Sequence, residues 1–403
     1  MKTTGINMET VKKQNRASIF NFMNERGPIS RKDIADELGL TPAAVTQICA
    51  KFIEQGMLLE KGTLTEGVRA GRKKVLIDIN YDYAYVFGIH IEWEKTVIAL
   101  TNLRGEIKNI REIPTNRRQE PELFLQQVAM QCRQLQAEAS LMDAQIAGAG
   151  VGICGIIEQQ TVHRSVCCGI WNEKVAVGRL LESFLNVPVV LDHNISALAL
   201  AECMYGAGKE RGKLLIIRWD ASLESVVIVN RNSVKNRDGV LAGIEHMVVD
   251  KYGETCCCGK KGCLETKLNF GTIRKEIEQL FSYETTPKLY EALGGDLRNL
   301  KFDVFLKQQQ EMDEVIWELM LDKIDLLAQT LVNAIVLLVP DGVVLCGSLF
   351  ENPECRRKLT QACILYDSKF QENQLIYTKM ADRQSYIGPV ALGVNAYLEN
   401  PTV

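Results

Sequence analysis

The chain contains no run of about 18 uninterrupted apolar residues, so no segment reads as a membrane-spanning helix. Its opening stretch, MKTTGINMETVKKQNR, has no apolar core to serve as a secretion signal, and a cytoplasmic protein with no membrane partner is expected. Ten Pro and 30 Gly in 403 residues leave no low-complexity bias. With 24% charged and 46% apolar residues, the composition excludes a wholly disordered chain, a collagen-like chain and a coiled-coil rod. Net charge is nearly missing too, at −3. Thirteen Cys are present, and without a secretion signal they point to a reducing compartment. Any tight Cys cluster is therefore a metal candidate rather than a disulfide. At about 150 residues per domain, the length predicts two or three domains.

The small total charge conceals an asymmetry. Residues 1–80 carry 13 Lys/Arg against 9 Asp/Glu, a net of +4, which leaves −7 for the other 323. A basic head on an acidic body is the pattern to explain.

In the head, residues 15–27 read as an amphipathic helix with Ile19, Phe22 and Met23 on one face, ended by Gly27-Pro28. Ser30 is the expected N-cap of a second helix, with Ile34, Ala35 and Leu38 buried and Gly39 as the turn residue. Thr41 caps a third helix that has Pro42 at its first position, buries Val45, Ile48, Phe52 and Ile53, and closes at Gly56. This is a helix-turn-helix pattern. Thr41, Pro42, Ala43, Ala44, Thr46 and Gln47, with Lys51 further along, would enter a major groove and meet base edges. Strand-like runs at 57–60 and 75–79 flank the segment GVRAGRKK at 67–74. Its cations, among them Arg69, Arg72 and Lys73, suit a wing on phosphates or in the minor groove. Residues 1–80 are thus predicted to be a winged helix-turn-helix domain.

From about residue 84 strands alternate with helices, which predicts an α/β body in two lobes. Strands are expected at 85–91, 96–101, 146–153, 187–191, 214–217, 225–229 and 343–345, and helices at 120–141, 196–203 and 312–337. The sharpest local signal is His246 followed by CCCGKKGCLE at 256–265. Thiolates and imidazole are the ligands that tetrahedral zinc prefers. His246, Cys256, Cys258 and Cys263 form the candidate set, with Cys257 as an alternative to a neighbour. The glycines let the chain wrap tightly. A site with four protein ligands has no open position, so the expected Zn²⁺ is structural.

At this motif the chain resembles the ROK family of repressors, open reading frames and sugar kinases. The family signature joins G-E-x-G-H to C-x-C-G-x-x-G-C-x-E, and the second half is matched without a gap. The strand and loop at 150–155, GVGICG, Trp171, the VPV at 187–189, the ALAE at 199–202, the LVPD at 338–341 and Gly347 fall where the family has similar residues. The resemblance implies an N-terminal winged helix-turn-helix plus a two-lobed actin-like ATPase (ribonuclease H-like) body. Its first lobe would span 81–192 and be completed by a C-terminal helix at 387–400, and its second would span 193–386. It implies sugar contacts at His193, Asn194, His246 and Glu265, and the repressor branch, as in xylose and N-acetylglucosamine repressors.

The departures from the kinase pattern bear on activity. The first phosphate loop, D-x-G-G-T in family kinases, reads His90-Ile91-Glu92-Trp93-Glu94, and the second reads Asp220-Ala221-Ser222-Leu223-Glu224. Carboxylates in these loops would repel phosphate. The position of the catalytic Asp is Asn194, which cannot act as a general base. Gly243 stands where the signature has a Glu, with Glu245 two residues on. No enzyme activity and no ATP are expected. The predicted protein is a DNA-binding transcriptional repressor of carbohydrate genes with a sugar-type effector. A homodimer or dimer of dimers would match a palindromic operator. The rival readings are an atypical sugar kinase and a regulator controlled by a protein partner.

Overall fold

The computed structural model describes residues 8–64, 74–158, 161–163, 170–209, 211–308 and 311–400. The head comprises α1 (Met8–Arg26), β1 (Ile29–Ser30), α2 (Arg31–Leu38), α3 (Pro42–Glu54), β2 (Leu58–Leu64) and β3 (Lys74–Ile79). Ser30 Oγ accepts from Asp33 N at 3.2 Å, Gly39 ends α2 at φ 63°, and Thr41 Oγ1 accepts from Ala44 N at 3.3 Å, so local capping sets these boundaries. Ile19, Phe20, Met23, Ile34, Val45, Cys49 and Phe52 form its core, with Phe20 and Phe52 edge to face at 4.7 Å. The first helix begins earlier than its apolar spacing indicated. A two-residue strand at Ile29–Ser30, absent from the sequence reading, makes the sheet three-stranded in the order β1-β3-β2.

The body opens with β4 (Tyr85–Ile91), β5 (Lys95–Asn102), β6 (Ile107–Pro114), α4 (Pro121–Glu138), β7 (Ile146–Ile153), the small hairpin β8 (Ile156–Glu158) and β9 (Thr161–His163), α5 (Val177–Leu185) and β10 (Val189–His193). These give a five-stranded sheet ordered β10-β7-β4-β5-β6. Next come α6 (Asn194–Tyr205), β11 (Lys213–Trp219), β12 (Leu223–Val229), β13 (Asn232–Ser233), α7 (Leu264–Leu268), α8 (Phe270–Leu280), α9 (Pro287–Ala292), α10 (Phe302–Lys307), α11 (Glu314–Leu338), β14 (Gly342–Cys346), α12 (Pro353–Tyr366), β15 (Leu375–Tyr377) and α13 (Ile387–Glu399). A second five-stranded sheet is ordered β13-β12-β11-β14-β15. The strand expected at 187–191 begins and ends two residues later, because Pro188 offers no N–H to the ladder. Strand β6 was not anticipated: its side chains alternate between exposed and half-buried, and it carries few apolar residues.

Helix α13 packs on β4, β7 and α6. Glycine alternates along β7 at 148, 150 and 152. A Cβ at Gly150 would collide with the Pro389 carbonyl oxygen and lie 2.6 Å from Gly393 N, so only glycine admits α13 this close. Helix α1 of the head packs on the same α13. Among the described residues, no helix is long and apolar enough to cross a membrane.

Candidate functional site

Three separate features carry the chemistry. The first is the outer face of α3. Thr41, Pro42, Ala43, Thr46, Gln47 and Lys51 are exposed and Ala44 is half-buried, while Val45, Cys49 and Phe52 anchor the opposite side. A short polar surface on a helix fixed from behind can approach base edges. Arg69, Arg72 and Lys73 lie outside the described residues. Lys74, the last cation of that segment, is engaged within the head, with Nζ 3.2 Å from Asp33 Oδ1.

The second feature is the loop before α7. The ligand atoms of His246, Cys256, Cys258 and Cys263 lie within 4.8 Å of one another. Cys256 Sγ is 3.5 Å from His246 Nδ1, and Cys258 Sγ is 3.5 Å from Cys263 Sγ. Gly262 (φ 67°) passes so close to the Asp250 carbonyl that no side chain would fit there. Cys257 Sγ approaches Cys256 Sγ at 3.7 Å but stands outside the group of four. Three sulfurs and one imidazole nitrogen at this spread match the donor set and size of a tetrahedral soft-metal site, so the cluster could hold a metal ion.

The third feature is the cleft between the sheets, where β4, β10 and β11 end and β12 begins. Asn194 is the first residue of α6 and is buried. Its Nδ2 donates to Ile91 O at 3.2 Å, and its Oδ1 sits 2.6 Å from where a Gly152 Cβ would be. That Oδ1 has no hydrogen-bond partner among the described residues, nor has buried His90 Nδ1. His193 caps α6, its Nδ1 accepting from Ile195 N at 3.4 Å. Asp192 points away from Asn194 chemistry: its Oδ1 accepts from Lys235 Nζ at 2.6 Å. On the facing wall, Glu265 N donates to Glu245 O at 2.9 Å, which sets these two residues side by side.

Glu245 answers the question posed by Gly243. Its carboxylate folds back against Ser225 Oγ and occupies the space where a side chain at 243 would begin. A carboxylate therefore lies beside position 243 although the residue there is glycine. Burial pushes the Glu245 carboxyl up to about 7, and the nearby Glu224 charge adds to the rise. Glu265 is raised for the same two reasons, burial first.

The acids in the two loops are present as expected, but they are not bare. Arg218, at the end of β11, was missed in the sequence. Its guanidinium is 2.8 Å from Glu224, 3.4 Å from Glu92 and 3.7 Å from Asp220. Glu92 also accepts from His90 Nε2 at 3.1 Å. Burial opposes ionisation of Glu92, but the His90 hydrogen bond and the charges of His90 and Arg218 hold it down at about 2. Asp220 Oδ1 accepts from Ser348 N and Oγ, both at 2.7 Å. One guanidinium thereby ties the first sheet to the second through the loops that the resemblance assigned to phosphate.

Comparison with known proteins accords with this architecture. The ROK family model matches residues 86–395, and a winged helix-turn-helix DNA-binding model matches residues 14–58. The chain is 23% identical over 402 residues to the putative xylose repressor of Caldicellulosiruptor sp. (strain Rt8B.4), covering 98% of this chain and 99% of that one. It is 24% identical over 400 residues to the DNA-binding transcriptional dual regulator NagC of Escherichia coli (strain K12), covering 97% and 95%. A solved ROK family transcriptional regulator, a homologue of the E. coli MLC protein, superposes with a TM-score of 0.77 at 19% identity over 97% of each chain. A ROK family glucokinase from Streptomyces griseus, in complex with glucose and AMPPNP, superposes at 0.64 and 18% identity over 77% of this chain and 99% of that one. At such identities the structural likenesses establish the fold.

Proposed function

This chain belongs to the ROK family, and from that premise we propose that it is a sugar-responsive transcriptional repressor whose cleft binds its effector without catalysis. The observation that carries the proposal is the placement of α1. This helix of the head packs on α13, whose Pro389 abuts the cleft strand β7 at Gly150 and Gly152. Near the C-terminal end of α1, Glu25 pairs with Arg231 in the β12–β13 turn of the second sheet. The head therefore touches both halves of the body, and a ligand that shifts one half against the other changes the seat of the DNA-reading helix.

In this reading the units are residues 1–80, residues 81–192 with 387–400, and residues 193–386. Thr41, Pro42, Ala43, Ala44, Thr46, Gln47 and Lys51 face the operator, with Arg69, Arg72 and Lys73 as wing contacts. His193, Asn194, His246 and Glu265 meet the sugar, and Glu245 joins them. Two copies on a palindromic site supply the contacts that one module lacks. Zn²⁺ on His246, Cys256, Cys258 and Cys263 crosslinks the loop that presents Glu245 and Glu265. Sugar phosphorylation is unsupported at two points. Asn194 offers an amide where a base is needed, and Arg218 with its carboxylates fills the loops.

The test is operator binding by the full chain. It should bind DNA from its own promoter region in a salt-dependent way, and a sugar should change that affinity. Absence of salt-dependent binding with every sugar tried would sink the proposal. Release of ADP from ATP, Mg²⁺ and a sugar would refute the non-catalytic part alone.

A further inference from the structure

The cleft has an unequal supply of hydrogen-bonding groups. Glu224, Glu245 and Glu265 are brought together there as acceptors: the Glu245 carboxylate accepts from Ser225 Oγ, next to Glu224, and Glu265 N donates to Glu245 O at 2.9 Å. Asn194, 4% exposed, adds an Oδ1 with no partner among the described residues. The cations beside them are committed. Arg218 is shared by Glu92, Asp220 and Glu224, and Lys235 is held by Asp192 at 2.6 Å. The N-terminus of α6 faces the same space, but the His193 side chain already accepts from Ile195 N. An arriving anion would find these two cations already paired, and several carboxylates beside them. A sugar hydroxyl or ammonium would find acceptors.

We propose that the cleft selects an unphosphorylated sugar and rejects its phosphate ester, with Glu92, Glu224 and Arg218 as the residues that set this preference. The inference rests on the effector reading above. The ligand's hydroxyls donate to Glu245, Glu265 and Asn194 Oδ1, the last of which has no other partner among the described residues. A phosphate dianion near Glu224 adds like charge beside three carboxylates, Glu92, Asp220 and Glu224, that already share the single guanidinium of Arg218. Repulsion of this kind, with unpaired desolvation of the phosphate, predicts affinity on the order of 100-fold below that of the free sugar.

The experiment uses the full-length protein and matched pairs: glucose, N-acetylglucosamine and mannose, each against its 6-phosphate, and xylose against its 5-phosphate. Binding is read by calorimetry and by thermal midpoint. The expected result is that at least one free sugar binds and its ester is at least tenfold weaker. An ester that binds as tightly as its parent overturns this inference and leaves the effector reading standing. No response to any compound removes the effector reading, and this inference with it. For the pair that responds, Glu92→Gln and Glu224→Gln each release Arg218 from one carboxylate and should narrow the sugar-to-ester ratio by about tenfold. A ratio unchanged in both variants, with midpoints showing them folded, also overturns the assignment.

Discussion

Replacing Arg218 by Met removes a charge that joins the two sheets through the cleft loops. At an effective dielectric of about 20, each of its three contacts carries a gross attraction of roughly 5 kcal/mol. Most of that is offset by the cost of desolvating the guanidinium and by repulsion among the carboxylates. Truncating one partner of a buried ionic group typically costs about 3–5 kcal/mol, because the remaining charges are stranded. The Arg218 side chain is only 12% exposed, whereas the three carboxylates keep 23–35% exposure, and water relieves part of the penalty. The lower end, about 3 kcal/mol at neutral pH, is the expected loss. Glu224 bears most of it. Glu92 keeps His90 and Asp220 keeps Ser348, but Glu224 Oε2 has no partner other than Arg218 among the described residues. The double variant Arg218→Met/Glu224→Gln should therefore regain about 1–2 kcal/mol.

The loss should also depend on pH with a definite sign. Glu92 is held near 2 against an ordinary 4.5, so its contribution is complete above about 4.5 and disappears as pH falls through 2. Without Arg218 the stranded carboxylates bind protons at higher pH, which relieves the variant first. The gap between native protein and variant is therefore widest near pH 7 and closes on acidification. Urea midpoints at pH 7.5, 5.5 and 4.5 measure it. A variant within about 0.5 kcal/mol of the native protein at pH 7.5, or a gap that widens in acid, would refute the reasoning.

Gly150→Ala should lower the thermal midpoint strongly, with about 3 kcal/mol of overpacking, since its methyl group meets the Pro389 carbonyl and the backbone of α13. Cys256→Ser and Cys263→Ser should each abolish stoichiometric zinc while Cys257→Ser retains it; elemental analysis of unchelated protein decides, and zinc loss in Cys257→Ser would reassign the ligands. Thr46→Ala with Gln47→Ala should weaken operator binding about tenfold without moving the thermal midpoint, because both side chains are exposed. Arg231→Gly should leave stability within about 0.5 kcal/mol, since relief of its left-handed backbone (φ 67°) offsets loss of the Glu25 pair, yet it should shrink the sugar-induced change in operator affinity.

What the sequence made legible was local. Ser30, Gly39 and Thr41-Pro42 each act within one turn of chain, and α2 starts and stops, and α3 starts, where they indicate. The metal cluster was legible because three of its four ligands lie within eight residues, and glycine spacing determines how that loop wraps. The cleft was not. Arg218 sits 126 residues from Glu92, and nothing in an apolar strand ending in Arg-Trp announces that its guanidinium reaches back to the other sheet. Glu245 looked misplaced by two positions, and only the fold reveals that its carboxylate turns back into the space beside Gly243. Strand β6 escaped because an edge strand with one half-buried face needs little apolar character.

The ion cluster and the placement of the head bear on the same question, how a two-lobed body of this fold regulates DNA. A kinase cleft must open for a nucleotide at the end of β4 and β11. Here those two strand ends are joined through Glu92 and Arg218, so that side of the cleft is closed by the protein's own charges. In the effector reading proposed above, motion between the halves is restrained here by this tie and by the Lys235–Asp192 pair. The far side is where α1 rests on α13 and where Glu25 reaches Arg231. On the proposed reading, the residues that depart from the kinase pattern thus bear on the switch as well as on phosphate, because their charges tie together the two halves that the head touches.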